Sequence, residues 1–130
     1  MRSRLKIVSA VTLMLALASP LWAHHSVSGQ FDTSKPIVLK GVVSKVDWMN
    51  PHVYIYLDVK ETDGSVTTWA LSSLPTAMMR KAGLSKETLI GAPGETVTIN
   101  AVPARDGTKR LGWISKITYA DGHYYLLAGE

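Results

Sequence analysis

The fold this sequence predicts is mostly β: a small barrel of five to six strands with one helix between strands three and four. Three observations lead there. Short runs of alternating apolar and polar residues are separated by Asp-Gly and Asn-Pro breaks. A helix-forming stretch interrupts the strands only once, after the third. The long first strand carries Gly41, where a small barrel needs its chain to bend or bulge. That strand–helix order is the one found in the oligonucleotide/oligosaccharide-binding (OB) barrel. An open β-sandwich of similar strand count ranks second.

Taken in order, "HHSVSGQFDTSKP" (24–36) is polar and reads as an extended lead-in. "IVLKGVVSKVDWM" (37–49) is β-branched and forms the long first strand, which Asn50-Pro51 ends because proline cannot donate to a ladder. In "HVYIYLDV" (52–59), Val53, Ile55, Leu57 and Val59 face one way, and Tyr54, Tyr56 and Asp58 the other. Asp63-Gly64 signals a hairpin into "VTTWALSS" (66–73). Helix formers follow in 74–90, with Met78, Met79, Ala82 and Leu84 grouped on one side and Ser85 capping a second short turn. "TVTINAVPA" (96–104), "LGWISKITYA" (111–120) and "HYYLLAG" (123–129) supply the remaining strands.

The N-terminus has the three parts of an export signal. Arg2, Arg4 and Lys6 precede an apolar run of twelve residues, Ile7 to Ala18, and "SPLWA" places Ala23 at the cleavage edge. Twelve apolar residues fall short of the ~20 that span a bilayer, so no stable membrane anchor is expected after cleavage. The expected organisation is a signal peptide over 1–23, the lead-in over 24–36 and one barrel domain over 37–130, in a periplasmic or secreted protein. Three of the 14 basic residues and none of the 10 acidic ones lie in the leader, so the remainder is nearly neutral. That balance argues against a nucleic-acid partner, which needs a basic face. The chain contains no cysteine, which excludes disulfides, thiolate metal sites and a thiol nucleophile.

Cleavage after Ala23 would make His24 the first residue. A terminal amine and the imidazole of the same residue chelate one metal ion, and nitrogen donors of this kind favour Cu(II) in the usual affinity order. The stretch "WMNPH" adds His52, set by Pro51 at the mouth of the second strand, and Met49, a thioether that soft Cu(I) accepts. His24, His25, His52 and Met49 are therefore the candidate metal ligands, with copper favoured as cofactor, provided the lead-in folds back over the barrel; His123 is a weaker addition. The alternative for "NPH" is a plain turn, with Asn50 capping the bend and His52 bonded to backbone. Tyr54, Tyr56 and Trp69 form a second candidate, an aromatic face for a glycan, another small ligand or a protein. Met78-Met79 reads as a barrel plug. No catalytic constellation is legible, so a non-enzymatic binding protein is expected; a copper oxidase using an N-terminal histidine chelate ranks last.

"AHHS" at the start of the mature part, "GVVSKVDWMNPHVYIYLDV" and "WALSSLPTAMMRKAGL" together resemble a family of small exported bacterial proteins described only as a domain of unknown function. The resemblance runs from Ala23 to about Tyr119. It implies an exported single-domain protein and no activity.

Overall fold

The computed structural model describes residues 27–127. Strands β1 (Ile37–Asp47), β2 (Tyr54–Lys60) and β3 (Val66–Ser72) form an antiparallel meander. Helices α1 (Thr76–Lys81) and α2 (Lys86–Ile90) follow, then β4 (Thr96–Pro103), β5 (Leu111–Thr118) and β6 (Tyr124–Leu126). The sheet order is β3-β2-β1-β4-β5-β6, and a parallel pairing of β3 with β5 closes the first five strands into a barrel. This is the OB arrangement, with β6 as an extra strand on the edge of β5. Where the sequence suggests one helix and a short turn, there are two short helices broken at Ala82–Gly83.

β1 serves both halves of the barrel. Its first six residues pair with β4 and five of its last six with β2, and Val42 pairs with both. Gly41 stands at that crossing, where a Cβ would lie 2.2 Å from the Asp58 carbonyl oxygen, so only glycine lets the strands approach. The irregularity in register comes slightly later. It falls between Val43 and Lys45, leaving Ser44 as the extra residue of a bulge. Val43 and Val46, three apart, would face opposite sides of a regular strand; the bulge turns both inward. β5 repeats the device. A shift at Ser115 brings Ile114 and Ile117, also three apart, into the core. At the closing seam, a Cβ on Gly112 would lie 2.9 Å from the Val102 carbonyl oxygen.

The barrel is filled as the alternation demands. Val53, Ile55 and Leu57 of the second apolar run are fully buried, as are Val97 and Ile99 of the fourth strand. Met79 plugs one end of the barrel, and Leu84 and Leu89 complete the seal. The expected one-sided grouping of Met78, Met79, Ala82 and Leu84 is not what forms. Met78 and Ala82 are exposed, because neighbours on a helix lie about 100° apart and α1 ends before Ala82. α2 is capped as read: Ser85 Oγ accepts from the Thr88 amide and Thr88 Oγ1 accepts from the Ser85 amide. The Tyr119 hydroxyl points at the carbonyls of Thr88 and Leu89, 2.9 Å from each, and so ties α2 to the end of β5.

Candidate functional site

His52 stands between β1 and β2, after the cis Asn50-Pro51 peptide. Two polar contacts fix this loop. Asn50 Oδ1 accepts hydrogen bonds from the Thr76 amide and hydroxyl, at 3.1 and 3.0 Å, which holds the loop on the first turn of α1. His52 Nδ1 lies 2.9 Å from the Ser73 carbonyl oxygen. A carbonyl only accepts, so Nδ1 carries the proton and donates. The neutral ring then presents its lone pair at Nε2. Backbone bonding by His52 was the plain alternative to ligation, but the two are compatible. Metal-bound histidines ordinarily donate their second ring nitrogen to a carbonyl or carboxylate in this way. Ser73 is wholly buried, and its Oγ is a buried side-chain atom with no hydrogen-bond partner.

The half-buried His52 ring meets Trp113 of β5 edge-on, with centroids 5.6 Å apart. Trp113 in turn packs on Phe31 at 5.9 Å. Phe31 belongs to the segment before β1, and that segment is fastened to the barrel. Its amide bonds the Val27 carbonyl, and Asp32 donates to the Pro103 carbonyl. Arg105 donates from Nε to the Ser28 carbonyl, from Nη2 to the Phe31 carbonyl, and from its amide to the Gln30 carbonyl. Residues 27–30 form a helical turn rather than the extended lead-in expected. The described part of the lead-in thus folds back onto the tryptophan that His52 touches. His24 and His25 lie outside the described residues.

Met49 is exposed, on the same loop as His52. His123 does not join them. It stacks flat on Tyr119 at 4.4 Å, and its Nδ1 faces the Asp121 carboxylate. Trp113 and Tyr119 are six residues apart along β5 and its continuation, about 20 Å at ~3.3 Å per residue, so the two imidazoles occupy opposite ends of the strand. Among the described residues no cluster of three or more His, Cys, Asp or Glu side chains forms.

The aromatic candidates divide. Tyr54 and Tyr56 pair with Ser72 and Ala70 on the outer face of β2 and β3. Trp69 pairs with Leu57, whose side chain is in the core, so Trp69 turns inward and packs against the core. The three rings therefore do not make one surface. The sequence signal was available: residue 69 has the parity of Leu71 and Thr67, and the hairpin register opposes it to the aliphatic row. The register sets Trp113 beside Ser72, but that ring is buried and belongs to the core cluster. Lys45 lies over the Tyr56 ring, 5.0 Å from its centroid, and pairs with Asp47 at 2.8 Å. Burial first, and then the hydrogen bond to Asp47, push the Tyr56 hydroxyl above its ordinary pKa.

Among the described residues no helix is long and apolar enough to cross a membrane. No curated protein and no solved structure matches the chain. A model of DUF6152, a family of unknown function, matches residues 11–113, and the chain belongs to that family.

Proposed function

We propose that this is an exported, non-enzymatic binding protein of the periplasm or cell exterior that holds one transition-metal ion, with copper favoured. His24 supplies amine and imidazole, His25 and His52 supply further imidazoles, and Met49 offers a soft donor when the metal is Cu(I). One observation carries the reading: the Nδ1–H of His52 is committed to the Ser73 carbonyl, which leaves Nε2 as the donor. The packing of Phe31 on the same Trp113 supports it, because it brings the lead-in to the His52 end of the barrel. From Val27, three further residues reach at most ~11 Å. The aromatic-face alternative is the weaker reading, since the register leaves it only Tyr54 and Tyr56.

The test is intact mass of the exported protein followed by Cu(II) titration. Expected are a chain beginning at His24 and one-to-one binding with Kd well below ~1 mM, an affinity of more than ~4 kcal/mol. Binding should weaken as pH falls, because imidazole and amine must shed protons to ligate. A different start, or no saturable binding in that range, overturns the proposal.

A further inference from the structure

A cleft lies where the same loop meets α1 and α2. Trp48, Arg80, Leu84, Ser85, Lys86 and Glu87 line an open surface cleft of about 420 Å³, a volume in the range of small-molecule sites. Its geometry follows from the loop's attachment to α1. Asn50 is bonded to Thr76, and Arg80 lies four residues on, on the same helix face. Trp48, two residues before Asn50, therefore meets Arg80, whose guanidinium sits 5.8 Å from the indole centroid. Stacking on the ring orients the guanidinium and spares the ligand part of that entropy cost.

The charges in the cleft are unbalanced. Among the described residues the salt bridges involve Lys35, Lys45 and His123, and neither Arg80 nor Lys86 enters one. The single acid in the lining, Glu87, has its carboxyl held below the ordinary range, chiefly by its own backbone amide, then by Ser85, and to a smaller extent by the charge of Lys86. Arg80, which enters no salt bridge among the described residues, and Lys86, whose charge is felt by Asp47 and Glu87, thus flank Trp48 and the largely buried Leu84. We infer that this cleft binds a small carboxylate with an apolar body. The carboxylate takes the fork of Arg80 with Lys86 as a second donor, and the apolar body lies against Leu84 and the indole edge. The site shares no residue with the metal proposal.

The experiment follows the Trp48 indole N–H by NMR in the full mature protein while benzoate is added, with benzyl alcohol as the neutral control and acetate as the control lacking an apolar body. Expected is saturable binding of benzoate with Kd near ~1 mM, at least tenfold weaker binding of both controls, and at least a tenfold loss for Arg80→Gln and Lys86→Gln together. Both positions are exposed, so the variant should keep the wild-type spectrum elsewhere. Copper affinity of that variant should be unchanged, which separates this inference from the metal reading. Benzyl alcohol binding as well as benzoate, linear unsaturated shifts, or undiminished binding by the double variant would each overturn it.

Discussion

At the scale of single residues, the loop from Trp48 to His52 is organised by what each side chain can accept or donate. Asn50 receives two hydrogen bonds from Thr76, and His52 gives one to Ser73. Ser73 contributes its carbonyl, not its hydroxyl. Its Oγ is buried without a partner, a burden of ~1–3 kcal/mol by the usual cost of an unsatisfied buried group. Ser73→Ala should therefore leave the protein as stable or more stable by about 1 kcal/mol in urea unfolding, with His52 still bonded to residue 73. A loss of more than about 1 kcal/mol would mean that the hydroxyl has a partner. The residues of this site were legible as types: "NPH" marks a turn that presents an imidazole. Which ring nitrogen is free was not legible, because it depends on a carbonyl twenty-one residues away. The assignment of Trp69 to the outer face failed for a different reason: strand parity had to be carried across the hairpin to a partner, Leu57.

At the scale of elements, one turn chemistry recurs. Asp32, Asp63, Asp106 and Asp121 each accept a hydrogen bond from the backbone amide two residues on, and the first three also accept the following Ser or Thr hydroxyl. All four carboxyls are held below the ordinary aspartate value. For Asp32 the hydrogen bond from Ser34 is the main cause, with Lys35 second, and together they lower it from 3.8 to about 2. A depressed folded-state pKa stabilises the fold above the unfolded value, and that contribution is lost as pH falls through the folded one. Stability measured by thermal unfolding should thus decline between pH 4 and pH 2, a window set by those two values. Asp32→Asn should flatten this part of the decline; an unchanged slope would show that Asp32 titrates normally. The Asp-Gly turns were legible in the sequence, and so was the Ser85 cap, because these are local patterns of three or four residues. The bulge expected at Gly41 falls instead at Ser44, and a second at Ser115 was not anticipated; both follow from apolar residues three apart, a spacing that a regular strand cannot bury.

At the scale of the whole molecule, closure of the barrel decides where the chemistry can be. The parallel seam between β3 and β5 sets Ser72 beside Trp113, and Ser73, the next residue, carries the carbonyl that holds His52. Phe31 covers the same tryptophan from the other side. The strand order was predictable from the sequence because a meander, a helix and two further strands have few ways to close. The meeting of residues 31, 52 and 113 was not, since it arises from three segments far apart in the chain. It lets the loop, the lead-in and β5 be tested as a unit. The most direct test is pulsed EPR of the Cu(II)-loaded mature protein, which counts coordinated imidazoles, applied to the wild type and to His52→Ala. The account predicts that the variant loses one imidazole from the copper signal and binds Cu(II) at least tenfold more weakly. An identical signal and affinity in the two proteins would contradict it, leaving any copper to the N-terminal residues alone.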